Sequence, residues 1–475
     1  MRALSLFSLT LLGALCGPGV LAQASPDEAA LSRVSVTREV RPGVRVPGTP
    51  DALNASVTLR YGAPHPRAVL LLMPGYLGGA GSFDRLARQI VALDPSLAVW
   101  AVDRRANLLE DQAALARSDR ARLETLVRTG LPVRPARELG FLRDWGLDTT
   151  LRDWRAAVLE ARALTPEVFI GGHSMGAGLA GMYAAYDFDG QAGYRDVRGL
   201  VMLDGTPDLL HGREVSAQEY RRGFWSTLGP IAGLDSLNRA PYVDTFYYGP
   251  KLASRADAQA QLAQLFPQAP APPGGLTPLP ATNLAAAMMQ LEQRYALLPF
   301  LTVRTGKATN TLEQSNPLPR LLGAEEDAQT IVGPQSSGRL IGWREDPLAP
   351  TDASDFVSRF WTPLTDMVEW YFPQRLTLDV SAASADTRGT PMQALRVWHT
   401  AEVTTPVLGI AAEAGVTRES DYRRYGGQLL GRTTVKTLPD AAHLDIVTAR
   451  GSQVARWVLE WMNGFGPPAS GTDHP

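Results

Sequence analysis

The stretch FIGGHSMGAGLAG, residues 169–181, restricts the possible fold more than any other part of the chain. It holds five glycines and one serine, and it continues an apolar run that is typical of a buried strand. Residues 172–176, GHSMG, fit the pattern G-x-S-x-G, in which a strand turns tightly into a helix and projects the serine from the turn. Gly172 and Gly176 remove the side chains that would collide across that turn. The stretch therefore predicts a strand, a strained turn that carries Ser174, and a helix.

Strand-like and helix-like segments alternate through the first and last parts of the chain. RVSVTREV (33–40) and ASVTLRY (55–61) alternate apolar with polar residues, which predicts two edge strands. AVLLLMPG (68–75) and LAVWAVD (97–103) are continuous apolar runs, typical of strands buried on both faces of a sheet. Strands separated by helices in this order imply an α/β fold, with a mostly parallel sheet and helices on both faces.

The alternation stops near Thr206 and resumes near Thr400. An interruption of about 190 residues is far longer than an ordinary loop and predicts a folded insertion. We therefore divide the mature chain into a core part at 25–206, a mainly helical insertion at 207–400, a second core part at 401–467 and a flexible tail at 468–475. The insertion leaves one core strand and returns before the next, so it should cap the carboxyl ends of the strands above Ser174.

Residues 1–24 have the pattern of a signal peptide. An apolar stretch follows Met1 and Arg2, and Ala22-Gln23-Ala24 matches a small-x-small cleavage site. The only cysteine, Cys16, lies in this segment, so the mature protein would need no disulfide and would tolerate an oxidising compartment. We expect a protein that is exported to the periplasm or the extracellular space and that keeps no membrane span. The net charge of −2 and the lack of a basic run argue against a nucleic-acid partner, and nothing in the sequence indicates the oligomeric state.

The GHSMG turn, the strand and helix around it, and the order of the strands resemble the α/β-hydrolase superfamily, in particular its lipase and esterase branches. The resemblance covers about Arg33 to Asp204 and Thr404 to Phe465, and it does not extend over the insertion. It implies an α/β-hydrolase fold and a serine hydrolase in which Ser174 attacks carboxylic esters of hydrophobic small molecules. Such an enzyme requires no cofactor or metal, and the sequence has no dinucleotide or phosphate-loop fingerprint.

The same resemblance places the catalytic histidine on the loop between the last strand and the last helix, after the acid in chain order. His443 in LPDAAHLDIV has that position, and His399 is the second candidate. The acid is less directly indicated, because Gly415 stands where an aspartate would be expected. Asp204, at the end of the strand that follows the serine helix, is the preferred acid because strand ends carry the chemistry of this fold. Glu413 is the alternative.

The oxyanion hole of such an enzyme needs two backbone N–H groups aimed at the developing alkoxide. By resemblance, one belongs to Met175, the residue after the nucleophile, and the other to the loop after the first buried strand. Tyr76 in PGYLGGAGS is the candidate there, with Leu77 as the other choice.

Two other functions remain open from the sequence. The missing acid at Gly415 would fit a non-catalytic protein that keeps the hydrolase fold and holds an apolar ligand. A related enzyme that acts on amides would share the acyl-enzyme step and carry the same motifs. Met288 and Met289, together with the aromatic residues of the insertion, are candidates for lining an apolar pocket under any of these functions.

Overall fold

The computed structural model describes residues 26–208, 214–226, 229–298, 302–321, 327–361, 368–383 and 386–465. The signal peptide with Cys16 and the tail at 468–475 are sequence predictions that lie outside these ranges. The strands are β1 (Val36–Pro42), β2 (Ala55–Gly62), β3 (Ala68–Met73), β4 (Leu97–Asp103), β5 (Val168–His173), β6 (Gly199–Leu203), β7 (Gly223–Ser226), β8 (Gly229–Ala232), β9 (Gly306–Thr309), β10 (Thr311–Asn316), β11 (Ala328–Pro334), β12 (Gly342–Glu345), β13 (Val407–Ala414) and β14 (Thr433–Ala442).

The α-helices are α1 (Glu28–Arg33), α2 (Asp84–Leu93), α3 (Gln112–Ala116), α4 (Arg120–Thr129), α5 (Leu147–Leu164), α6 (Met175–Ala185), α7 (Ala217–Arg222), α8 (Pro250–Leu265), α9 (Asn283–Met288), α10 (Leu318–Leu321), α11 (Ala353–Asp355), α12 (Gln374–Ala382), α13 (Glu419–Gly426), α14 (Asp445–Thr448) and α15 (Gln453–Asn463). A π-helical segment occupies Phe356–Trp361. No helix in the described ranges is both long and apolar enough to cross a membrane.

One eight-stranded sheet organises the core, in the order β1-β2-β4-β3-β5-β6-β13-β14. The six strands from β4 to β14 in this order pair in parallel, whereas β2 is antiparallel to both β1 and β4. The predicted mostly parallel sheet is therefore confirmed. The prediction of two edge strands is wrong for β2, which lies inside the sheet and is almost wholly buried.

The strands are apolar on both faces because each face packs against helices. In β3, Val69, Leu71 and Met73 join one hydrophobic cluster, whereas Leu70 and Leu72 join the other. Side chains of α5 and α6 fill the first cluster, and those of α2 and α15 fill the second. Because successive side chains of a strand point to opposite faces, an unbroken apolar run is what a sheet covered on both sides requires.

The order of the strands reverses between β3 and β5. In the sheet, β4 lies next to β3 on one side, whereas β5 and then β6 follow on the other side of β3. In α/β folds, ligands bind in the crevice outside the carboxyl ends of the strands at such a reversal. Met73 pairs with Gly172 across the two strands, so the loop after β3 and the turn at Ser174 meet at this crevice.

The segment between β6 and β13 contains helices and, in addition, three antiparallel strand pairs: β7 with β8, β9 with β12, and β10 with β11. The sequence patterns do not predict these strands. They are short and partly exposed along most of their length, so no apolar periodicity marks them. The longest helix of this segment, α8, packs through Ala253, Ala258 and Leu262 into a cluster of the core.

Candidate active site

Ser174 occupies a strained turn between β5 and α6. Its φ is +55° and its ψ is −123°, a conformation that residues other than glycine seldom adopt. A Cβ atom at Gly176 would lie 1.9 Å from the carbonyl oxygen of Met73, and one at Gly172 would lie 2.3 Å from the carbonyl carbon of Gly176. Only glycine fits at these two positions, so the local pattern G-x-S-x-G is a steric requirement of this turn.

The helix that follows the serine is buried along its whole length. Every residue of α6 is buried, and its sequence MGAGLAGMYAA is apolar on all sides, as expected of a helix surrounded by protein. Met175 is the first residue of this helix. Amide groups of a first helical turn have no acceptor within the helix, and they lie at the positive end of its dipole. The Met175 N–H group is therefore suited to meet a negative charge beside Ser174.

His443 and Asp204 form a buried pair. The imidazole Nδ1 lies 2.6 Å from Oδ2 of Asp204, and neither side chain is more than 1% exposed. The carboxylate also accepts the backbone N–H groups of Val416 at 3.0 Å and Thr417 at 3.1 Å, and more weakly that of Ala412 at 3.3 Å. These donors hold the carboxylate in place and balance a negative charge on it. In the neutral imidazole, a proton on Nδ1 that faces this carboxylate leaves the lone pair on Nε2 of His443.

The structure brings Asp204, and not Glu413, to the histidine. Glu413 lies at the surface, where its carboxylate accepts the backbone N–H group of Asp440 at 2.7 Å. At Gly415, an added Cβ atom would lie 2.1 Å from Oδ2 of Asp204. The Asp204 carboxylate therefore fills the space that a side chain at position 415 would need, which accounts for the glycine where an aspartate was expected.

Two further polar residues lie outside this arrangement. His399, the second histidine candidate, contacts Asp187 at 3.1 Å and Glu402 at 2.9 Å, and it does not line the cavity described below. Asp445 is fully buried and accepts the Thr351 hydroxyl and backbone N–H groups. Desolvation by burial raises the pKa of Asp445 to about 7, and these contacts give it a structural place at the start of α14.

His173 is a site residue to which the sequence patterns assign no role. Its Nε2–H group donates to the carbonyl oxygen of His443 at 3.0 Å, and the two rings lie 4.3 Å apart between centroids. Burial, and then the nearby His443, lower the pKa of His173 well below its ordinary value. His173 is therefore neutral, and it supports the loop that carries His443. No local pattern marks this role, because it depends on a contact across 270 residues.

The loop after β3 lies directly against the serine. A Cβ atom at Gly75 would be 3.0 Å from Cβ of Ser174, so the glycine allows the two backbones to approach. The loop turns at once, with the N–H group of Gly78 donating to the carbonyl of Gly75 at 3.2 Å and Leu77 at a φ of +61°. Tyr76 and Leu77 both line the cavity beside Ser174.

A cavity of about 380 Å³ opens at this point of the sheet. Ser174, His173 and His443 are among the residues that line it, and most of the other lining residues belong to the segment between β6 and β13. Met289 is one of these wall residues, whereas Met288 packs into the core. No lysine, arginine, aspartate or glutamate lines the cavity within the described ranges.

The arrangement contains a hydroxyl that could serve as a nucleophile, on Ser174, and an imidazole that could serve as its base, on His443. Ser174 and His443 face the same cavity, although no hydrogen bond joins the Ser174 hydroxyl to the imidazole in the described structure. Catalytic hydrogen bonds are often long in a ligand-free enzyme and shorten when substrate binds. Among the described residues, no group of three or more His, Cys, Asp or Glu side chains could hold a metal ion.

No protein-family model matches the chain, and no curated protein matches its sequence. Among solved structures, the chain is similar to a protein from Sulfolobus solfataricus provisionally named a lipase, at 15% identity and a TM-score of 0.50, over 91% of this chain and 94% of that chain. It is also similar to an epoxide hydrolase from Vigna radiata, at 12% identity and a TM-score of 0.42, over 90% of this chain and 98% of that chain. A haloalkane dehalogenase from Bradyrhizobium elkani gives 12% identity and a TM-score of 0.39 over the same shares. The first of these similarities and the order of the eight strands agree: the chain has the α/β-hydrolase fold.

Proposed function

We propose that the protein is a serine hydrolase that cleaves neutral, apolar carboxylic esters through an acyl-enzyme on Ser174. One observation carries the proposal: a serine held in a strained turn faces the same cavity as an imidazole whose Nδ1 is bound by a buried carboxylate. Nucleophile, base and orienting acid are the three roles that such catalysis needs.

In the proposed mechanism, Nε2 of His443 takes the proton of the Ser174 hydroxyl as the oxygen attacks the ester carbonyl. Asp204 keeps the Nδ1 proton in place and stabilises the imidazolium that forms. Backbone N–H groups of Met175 and Tyr76 stabilise the oxyanion of the tetrahedral intermediate. His443 then gives its proton to the departing alcohol, and water hydrolyses the acyl-enzyme with the same imidazole as base.

The lining of the cavity supports the choice of substrate. Aromatic and aliphatic side chains such as Phe360, Trp361 and Leu291 form the wall, and no charged side chain of the described structure is among them. A charged acyl or alcohol group would lose its hydration without gaining a partner. The volume of about 380 Å³ lies in the range of pockets that hold small organic molecules.

The test is hydrolysis of p-nitrophenyl acetate, butyrate and octanoate by the purified protein, beside two serine variants. Ser174→Ala should abolish turnover and labelling by a fluorophosphonate. Ser82→Ala is the matched control, because Ser82 lines the same cavity and its hydroxyl donates to the carbonyl of Gly79 at 2.8 Å. Turnover by Ser174→Ala equal to that of Ser82→Ala would remove the mechanism. p-Nitrophenyl hemisuccinate should react at least tenfold more slowly than the butyrate ester if the pocket excludes charge.

The structure bears differently on the two alternatives, a non-catalytic binding protein and an amide hydrolase. The non-catalytic binding protein was suggested by the absent acid at Gly415, but the Asp204 carboxylate lies in that space against His443, so this observation no longer favours it. Amide hydrolysis remains a second activity to assay, with the matching anilides, because it uses the same acyl-enzyme. We further propose export, from the signal pattern at residues 1–24. A mature protein that begins at residue 25 by mass spectrometry would support export, and an intact Met1 in the recovered protein would contradict it.

A further inference from the structure

Arg104 is attached to the loop beside Ser174 by three hydrogen bonds. It follows β4 directly, and its side chain is 3% exposed. Its guanidinium donates to the carbonyl oxygens of Pro74 and Gly75, both at 3.0 Å, and to that of Gly78. One planar group thus holds three peptide units of the loop that runs from residue 74 to residue 78.

Glu369 binds the same loop from the inserted segment. Its carboxylate accepts Nε–H of Arg104 at 2.7 Å, and its own backbone N–H group donates to the carbonyl of Leu77 at 2.7 Å. The Glu369 side chain is fully buried. The loop is therefore fixed from two sides, by a core residue and by a residue 265 positions later in the chain.

These contacts set the direction of the backbone N–H groups. In a trans peptide unit, the carbonyl and the N–H that follows it point in opposite directions, and the described chain contains no cis peptide bond. The carbonyl of Gly75 points to Arg104, so the N–H group of Tyr76 points away from Arg104. Gly75 itself lies against Ser174, so this peptide unit begins beside the nucleophile.

We propose that Arg104 and Glu369 are positioning residues that hold the Tyr76 N–H group as an oxyanion donor. This inference rests on the proposed function, and it deepens it in two ways. It selects Tyr76 over Leu77 as the donor, and it makes the oxyanion hole depend on the inserted segment, which supplies Glu369. The oxyanion hole is then complete only when that segment is packed against the core.

A lysine cannot replace Arg104 in this role. The ammonium group is a point charge with rotatable donors, whereas the guanidinium presents its donors in a fixed plane. Lysine would keep the positive charge beside Glu369 but could not hold three carbonyls and the carboxylate together. Loss of one oxyanion donor typically lowers kcat by about 100-fold to 1000-fold, so a displaced donor should lower it by about 10-fold to 100-fold.

The neighbouring residue offers a matched control. Arg105 is also 3% exposed, and it pairs with buried Asp153 at 2.6 Å. Its other acceptors are the carbonyl of Val44 and the side chain of Asn54, and none lies in the loop beside the serine. Arg105→Lys therefore disturbs a buried ion pair of the same kind without touching the oxyanion loop.

The experiment compares Arg104→Lys with Arg105→Lys, using p-nitrophenyl butyrate turnover, the rate of fluorophosphonate labelling and the thermal midpoint of each protein. We expect Arg104→Lys to lower kcat and the labelling rate about 10-fold to 100-fold, with KM within about twofold, because the donor acts on the transition state. Arg105→Lys should lower the thermal midpoint but change kcat less than about threefold. If Arg104→Lys does not fold, Glu369→Gln against Asp153→Asn makes the same comparison.

The outcomes separate this inference from the proposed function. An active wild-type protein with equal losses of kcat in the two variants, or a loss confined to KM, overturns the positioning role and leaves the serine mechanism intact. A wild-type protein that neither turns over esters nor labels at Ser174 overturns the proposed function, and the inference falls with it.

Discussion

Gly415→Ala should disturb the site without substituting any of the residues assigned to the chemistry. The new Cβ atom would lie 2.1 Å from Oδ2 of Asp204 and 2.7 Å from its Cγ, whereas ordinary contact begins at 3.4 Å. The carboxylate or the backbone at residue 415 must therefore move by about 1.3 Å, which a close-packed interior resists. The carboxylate has little freedom to do so, because it accepts hydrogen bonds from His443 and from the backbone of residues 412–417.

The magnitude follows from that displacement. A misplacement of about 1 Å in a catalytic constellation can cost about 100-fold in rate, and overpacking a buried site costs about 1–3 kcal/mol of stability. We expect kcat for p-nitrophenyl butyrate to fall about 100-fold. The free energy of unfolding in urea should fall by about 1–3 kcal/mol. Gly451→Ala is the control, because a Cβ atom at Gly451 meets no atom within 4 Å.

A relocated acid extends the same reasoning. Asp204 has a φ of +43°, so glycine is well suited to that position. Asp204→Gly should lower kcat by about 10,000-fold, by analogy with loss of the acid from other serine triads. Adding Gly415→Asp should recover at least tenfold of the loss, since the second carboxylate would start from the space that the first has left. Wild-type kcat in Gly415→Ala would refute the steric argument. A double variant with a kcat no higher than that of Asp204→Gly would refute the relocation of the acid.

Two further predictions concern residues that support the site. Because its pKa is lowered, His173 should stay neutral in the folded protein at a pH where the unfolded chain takes up a proton. Its contribution to stability is therefore complete above about pH 6.5 and is lost as the pH falls. The free energy of unfolding should decrease by up to about 1.4 kcal/mol per pH unit in that range. Urea unfolding of His173→Phe between pH 5 and 7 should show a shallower pH dependence than the wild type, and parallel curves would contradict the assignment. The buried Tyr422 hydroxyl accepts the N–H group of Gly205 at 3.1 Å and lies 3.2 Å from the carbonyls of Met202 and Ile410. Tyr422→Phe should therefore cost about 1–3 kcal/mol by leaving buried groups unpaired, and a change below about 0.5 kcal/mol in urea unfolding would show that the bond contributes little.

The insertion shows where local patterns lose their value. Its helices were expected, but the strand pairs β9 with β12 and β10 with β11 were not, because their exposed faces carry no apolar alternation. The error over β2 has a related cause. Alternation of polar and apolar residues predicts a half-exposed strand, and only the neighbouring strands and helices decide whether the second face is covered as well.

The sequence by itself determined the features that depend on a few adjacent residues. The turn at Ser174 follows from Gly172 and Gly176, whose backbone contacts exclude any side chain, and the runs at β3 and β4 are apolar because both faces of the sheet are covered. These features depend on steric and hydrophobic patterns among neighbouring residues. Such patterns can be recognised without knowing how distant parts of the chain pack.

Only the tertiary structure decided which distant groups meet. The choice of Asp204 over Glu413 depends on a contact between residues 239 positions apart, and the bond from Arg104 to Glu369 spans 265 positions. Single residues at such separations leave no periodic signal, because their pairing is fixed by how the strands and the insertion pack against one another. The sequence supplied candidates for the site, and packing selected among them.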